Sequence, residues 1–221
     1  MTITLSSLMS KYEPKKLADY TTFNLKTMTV IHGYPKGTLT RPLLLVGPAG
    51  SGKTQLAKLL AAEIIPDMTP YDILFVDAAE DPSVKTIKSI SQTVHTYARN
   101  SQNLRVVILD EAHDFTTQAM ASLKGLMTKF PSVDKGVFFI LTTNHLSGIS
   151  EPVRDRCLVL DVPATTVDDV LPMACRVLDG EGIPYAIEDL RTALTKDSSG
   201  LATFRDMWGA IEDIITRKSM P

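Results

Sequence analysis

The chain has 221 residues, 44% hydrophobic and 22% charged, with a formal net charge of −2. This composition excludes a chain disordered throughout and a nucleic-acid binder that is basic overall, while leaving room for a local basic stripe. Its apolar runs fall far short of the roughly 20 residues needed to cross a bilayer, and Cys157 and Cys175 alone make neither a disulfide framework nor a zinc quartet. In chain order, Met1–Lys11 shows no basic stretch followed by an apolar one, so no leader is expected and the reducing cytoplasm is the expected setting. Leu43–Val46 reads as a buried strand, followed by the glycine-rich Gly47–Gly52 and a helix over Lys53–Ile65 that Pro66 ends. Ile73–Val76 is a second strand. Pro82 suits the first turn of a helix running to about Arg99, with Val84, Ile87, Ile90 and Val94 as its apolar stripe. Val106–Leu109 is a third strand, Thr116–Phe130 a third helix, and Val137–Leu141 and Leu158–Leu160 complete five strands.

The strand runs lack clean alternation, as expected of strands buried on both faces. Joined by helices, they predict a three-layer α/β domain with a five-stranded parallel sheet. From about Pro163 the strand signal stops. Helices over Val167–Leu178, Ile187–Thr195 and Thr203–Arg217 fit the remainder, with separators at Gly180, Gly182 and Pro184, then at Ser198, Ser199 and Gly200. The expected division is a nucleotide-binding domain over 1–163 and a helical lid over 164–221.

Gly47-Pro48-Ala49-Gly50-Ser51-Gly52-Lys53-Thr54 fits the Walker A pattern, with a strand before it and a helix after. Glycines let backbone N–H groups turn inward around phosphate oxygens, and the helix N-terminus adds partial positive charge. Lys53 reaches the β- and γ-phosphates in this pattern, and the Thr54 hydroxyl ligates Mg²⁺. Val106–Glu111 fits Walker B: a buried strand delivers Asp110 to the cation and Glu111 to the attacking water. Two adjacent carboxylates are costly to bury without a metal or donor partner. His113 carries no assigned chemistry and reads as structural or exposed.

Three further features narrow the reaction. Asn144 follows the fourth strand, where an amide can hold a water near a γ-phosphate. Arg154 and Arg156 precede the last strand, where a guanidinium can serve a neighbouring subunit's phosphates. Arg205, in Thr203-Phe204-Arg205-Asp206, can fold over a nucleotide from the lid.

Together these residues resemble the AAA+ ATPases, and within them the small ATPase subunits of phage, archaeal and eukaryotic clamp loaders. The resemblance begins at Lys11-Tyr12-Glu13-Pro14, similar to the family's Lys-Tyr-Arg-Pro opening, and runs through both Walker motifs and Thr143-Asn144. Arg156-Cys157 matches the end of the family's Ser-Arg-Cys motif, which implies that Arg156 is an arginine finger acting in trans. Leu201–Asp213 resembles the third lid helix, implying that Arg205 is the second sensor. Tyr12 and Pro14 fall in the segment that the family places near adenine. The sequence departs at Glu13, where the family carries Arg, at Asp155, where it carries Ser, and in ending after the lid without a helical collar.

The resemblance implies ATP and Mg²⁺ as cofactors and a homo- or hetero-oligomeric ring or spiral. It also implies primer-template DNA and a sliding clamp as partners, with no membrane. The setting would be the host cytoplasm if the chain is phage-encoded. Lys85 and Lys88, near the start of the second predicted helix, are the DNA candidates. The alternative is a helicase loader or replication initiator. A P-loop kinase of a small acceptor fits less well, because it needs neither Arg156-Cys157 nor a lid of three helices.

Overall fold

The computed structural model describes residues 5–20, 25–195 and 199–219; the expected separator Ser198 lies outside them. Helices α1 (Leu5–Tyr12) and α2 (Leu25–Gly33) precede β1 (Leu43–Val46) and α3 (Lys53–Ile64). Then come β2 (Ile73–Asp77), α4 (Val84–Val94), β3 (Arg105–Asp110), α5 (Thr117–Lys129) and β4 (Val137–Thr143). The four-residue α6 (Glu151–Arg154) leads into β5 (Leu158–Asp161), and α7 (Val167–Gly180), α8 (Ile187–Leu194) and α9 (Phe204–Ser219) follow. The strands form one parallel sheet in the order β2-β3-β4-β1-β5.

The chain divides into two compact units. One comprises Lys16–Pro48 and Lys53–Val162 and contains the whole sheet. Strand side chains alternate between the sheet's two faces. Leu43, Leu45, Val106, Ile108, Phe138 and Ile140 pack with α3 residues Leu56 and Leu60 and with Leu17, Ile31 and Tyr34. Leu44, Val107, Leu109, Phe139 and Leu141 pack with Ile87, Ile90 and Val94 of α4 and with Leu123 and Met127 of α5. Two apolar layers on one sheet give the three-layer α/β architecture expected from the strand pattern. Thr116 caps α5, its hydroxyl accepting from the Ala119 N–H at 3.2 Å.

Two details of this unit differ from the sequence reading. Helix α4 stops at Val94 instead of running to about Arg99. Beyond Val94 the chain pairs elsewhere: the Arg99 N–H turns to Asp72 Oδ1, and the Arg105 guanidinium donates to Thr96 Oγ1 and to the Tyr97 carbonyl, both at 3.1 Å. Pro82 lies outside α4, before the N-cap residue Ser83, and its carbonyl accepts from the Thr116 N–H at 3.1 Å.

The second unit comprises Met1–Lys15, Ala49–Gly52 and Pro163–Pro221. Its core gathers Val170, Ala174 and Val177 of α7, Leu190 and Leu194 of α8, and Met207, Trp208 and Ile211 of α9, with Leu8 of α1 among them. Thr166 and Asp169 form a capping box at the start of α7, where the Thr166 N–H donates to the Asp169 carboxylate at 2.7 Å. The expected boundary at 163 separated everything before it from the lid. In the structure residues 5–15 cluster with the C-terminal helices, because Leu8 is buried among them and because Lys11 Nζ and Tyr12 Oη donate to Glu181 Oε1 at 2.6 and 2.8 Å.

Candidate active site

Strand β1 ends at Val46, the loop turns through Gly47–Gly52, and α3 starts at Lys53. Gly50 and Gly52 adopt φ of 76° and 87°, the left-handed region that a side chain resists. The loop tip groups with the helical unit: the Phe204 N–H donates to the Gly50 carbonyl at 3.2 Å, and a Cβ at Gly50 would meet Thr203 at 2.8 Å.

Lys53 is buried, 5% exposed, and Nζ donates to the carbonyls of Gly47 and Pro48 and to Asn144 Oδ1, each at 2.9 Å. These partners are neutral oxygens. Burial lowers the Lys53 pKa, with the carboxylates of Glu111 and then Asp110 opposing that shift. The ammonium is thus partly desolvated and held by acceptors weaker than an anion.

Sheet register builds the acidic side. The pairing of Leu109 with Leu141 puts Asp110 beside Thr142, whose hydroxyl donates to Asp110 Oδ1 at 2.6 Å. The Thr54 hydroxyl lies 2.8 and 2.9 Å from the two Asp110 oxygens. Glu111 follows in the left-handed conformation, φ 46° and ψ 42°, and its N–H donates to Thr142 Oγ1 at 3.1 Å. A non-glycine residue in that region carries strain that the surroundings must hold in place. Asn144 supplies one restraint, its Nδ2 donating to Glu111 Oε2 at 2.9 Å. One amide therefore joins Lys53 to Glu111, accepting from the first and donating to the second.

His113 is closer to this centre than its sequence context suggested. Its Nδ1 is 3.4 Å from Glu111 Oε2 and 3.2 Å from Thr143 Oγ1, and its ring packs on His145 with centroids 4.4 Å apart. The Thr143 hydroxyl donates to the His145 carbonyl at 2.9 Å, so the hydrogen between Thr143 and His113 comes from the imidazole. Sequence reasoning gave no role to Thr142 and named Thr143 only beside Asn144 in the resemblance. Their signal was two hydroxyls inside a strand buried along its length, where each needs a partner.

The remaining candidates divide between the two units. Arg156 follows α6, just before the N-terminal end of β5, and donates from Nη1 to the Pro152 carbonyl at 2.5 Å and from Nε to Thr128 Oγ1 at 3.2 Å. Arg154, the last residue of α6, is partly exposed. Lys85 and Lys88 are exposed on α4, whose buried face carries Ile87 and Ile90. Tyr12, Pro14 and Arg205 belong to the helical unit, with Arg205 exposed in the first turn of α9.

Residues 43–161, more than half of the chain, match the ATPase family associated with various cellular activities (AAA). The chain belongs to the AAA family. Among AAA relatives, replication factor C subunit 4 of Encephalitozoon cuniculi is 27% identical over 183 residues, 83% of this chain and 57% of that protein. The replication factor C small subunit of Picrophilus torridus is 31% identical over 151 residues, 68% of this chain and 46% of that protein. The chain thus spans about half the length of these relatives. Among solved structures, the Thermotoga maritima RuvB Holliday junction branch migration motor superposes with a TM-score of 0.70 at 17% identity, covering 93% of this chain and 71% of that one. That likeness is one of fold. Among the described residues, no helix is long and apolar enough to cross a membrane.

Proposed function

We propose that this chain binds ATP with Mg²⁺ and hydrolyses it at a boundary with a neighbouring subunit, as an ATPase subunit of a clamp loader. One observation carries the reading: Lys53, Thr54, Asp110, Glu111 and Asn144 meet at the C-terminal edge of β1, β3 and β4, while Arg156 stands at the opposite edge of the same sheet. Four residues of β5 at about 3.3 Å each leave roughly 13 Å between those edges. A guanidinium there serves a neighbour's triphosphate more readily than its own. The replication factor C names of the relatives support the clamp-loader assignment.

The donors fit the ligands. Lys53 is a cation resting on neutral oxygens that phosphate oxygens can replace. The Thr54 hydroxyl and Asp110 carboxylate are hard oxygen donors, the kind Mg²⁺ takes. Mg²⁺ is commonly held by one or two protein oxygens together with substrate phosphates, a share that Thr54 and Asp110 can supply. When bound, Mg²⁺ neutralises charge developing on the phosphoryl oxygens. Glu111 then accepts a proton from the attacking water, and Asn144 orients that water and the carboxylate together. Arg156 of the neighbour stabilises the transition state. Arg205 acts as a second sensor from α9, Tyr12 and Pro14 flank the adenine, and Lys85 and Lys88 contact the phosphates of primer-template DNA.

The test is the mass of the assembly with ATP and Mg²⁺, with and without primed DNA and a sliding clamp. The expected result is an oligomer that retains both DNA and clamp only in ATP. Capture of a helicase instead would replace the clamp-loader assignment with a helicase loader. A chain that stays monomeric in ATP would overturn the shared site.

A further inference from the structure

Arg41 lies just before β1, in Thr40-Arg41-Pro42, far in sequence from the arginine-finger candidate. Its side chain is exposed, yet it is committed to backbone. One amino group, Nη2, donates to the Asp155 carbonyl at 2.8 Å and to the Cys157 carbonyl at 3.0 Å. These carbonyls stand on either side of Arg156. The local turn uses other groups: the N–H of Asp155 pairs with Glu151, that of Arg156 with Val153, and that of Cys157 with Arg154. The carbonyls of 155 and 157 fall beyond the last turn of α6, where no helical N–H reaches them. The next residue is locked as well, since the Leu158 N–H donates to the Pro42 carbonyl at 2.7 Å.

The backbone on both sides of Arg156 is therefore tied to a single side chain at the foot of the sheet, whereas the Arg156 guanidinium itself rests on two nearby oxygens, Pro152 O and Thr128 Oγ1. Hydrogen bonds from a charged donor are stronger than neutral ones, and the two N–H bonds of one planar guanidinium nitrogen diverge at a fixed angle, which sets the direction to both carbonyls. That arrangement suits a residue whose Cα must stay fixed while its side chain leaves one resting place for another. We propose that Arg41 is a positioning residue for Arg156, holding residues 155–157 so that the Arg156 guanidinium is presented at a fixed place and angle to the triphosphate of a neighbouring subunit. This rests on the reading of Arg156 as a finger acting in trans. Misplacing a reacting group by about 1 Å can cost on the order of 10²-fold in rate, so the role is separable from mere stabilisation of the turn.

The experiment mixes two full-length variants. Donor chains carry Glu111→Gln, which leaves their own site inert, and keep Arg156. Receiver chains carry Arg156→Ala and keep an intact nucleotide site. Turnover by the mixture above that of the separate chains measures fingers given by donors to receivers. Adding Arg41→Ala to the donor is expected to lower the turnover number of the mixture by roughly 10- to 100-fold, with KM for ATP unchanged. The same substitution in the receiver leaves turnover where it was. Arg41→Lys in the donor, which keeps charge and donors but not the planar fork, recovers part of the loss. Equal losses with Arg41→Ala on either side, or full activity with it in the donor, would overturn the proposal. Donors lacking Arg156 keep the two readings apart. If they still complement, or if the first mixture shows no gain, the trans reading fails and Arg41 loses its role with it. If they fail to complement while Arg41→Ala donors work at full rate, only the role of Arg41 falls.

Discussion

Glu111 holds a backbone conformation that costs a side-chain-bearing residue about 1–2 kcal/mol relative to glycine. Glycine usually destabilises a folded position relative to alanine; here the order should invert. Glu111→Gly and Glu111→Ala both lose the carboxylate and its hydrogen bond from Asn144, so their difference isolates the strain. Urea denaturation should find the Gly variant more stable by about 1 kcal/mol, with neither variant turning over ATP. Asn144 is tested by a split between binding and rate. Its amide touches Lys53 and Glu111 at once, so Asn144→Ala should lower the turnover number by about 10²-fold and leave ATP affinity within a few-fold, as read by single-turnover hydrolysis beside nucleotide titration. Position and type of Lys53, Thr54, Asp110 and Glu111 were legible because each lies inside a contiguous motif. Thr142 was not, because its partner Asp110 comes from another strand, and the place of His113 beside Thr143 and His145 depends on how β4 packs next to β3.

At the scale of elements, the five strands and helices α3, α4, α5, α7, α8 and α9 emerge close to where their apolar patterns place them. The exception is instructive. The pattern of α4 carries on towards Arg99, but Asp72, just before β2, takes the Arg99 N–H that would have continued it, and Arg105 at the start of β3 holds Thr96 Oγ1 and the Tyr97 carbonyl. Burial alone would raise the Asp72 pKa, but the N–H of Arg99, the hydroxyl and N–H of Thr69, and Asn100 outweigh it, holding the carboxyl at about 2 against an ordinary 3.8. A depressed carboxyl contributes stability that is complete above the unfolded pKa and lost as pH falls through the folded one. The stability gap between the wild-type chain and Asp72→Asn should therefore be constant above pH 4 or so and close as pH falls from 3.8 towards about 2, measured as the difference in urea midpoints. A gap that stays constant to pH 2 would mean the carboxylate charge is not what holds the loop. Helices α1, α2 and the four-residue α6 went unread, and α1 owes its place to a non-local contact, Leu8 within the C-terminal helical core.

For the whole molecule, the proposed chemistry is divided between copies, and that division sets its predictions. Arg156→Ala should leave ATP binding nearly intact and cut DNA-stimulated turnover by about 10³-fold or more; an unchanged rate would show that this residue serves no neighbour. Replacing Lys85 and Lys88 together by Ala should weaken DNA binding and flatten the dependence of log K on log salt by about 1–2 units; an unaltered slope would remove both from the DNA contact. The sequence by itself determined the phosphate loop, the acidic pair at a strand end and the parallel α/β class, because each is set by neighbours along the chain: glycine dihedrals, a buried run, the spacing of apolar side chains. Only the tertiary structure decided that Asn144 joins Lys53 to Glu111, that Thr142 faces Asp110, and that Arg41 grips the turn around Arg156. Strands buried on both faces carry no alternation from which register can be read. Which strand ends and loops meet is fixed by packing across the whole sheet.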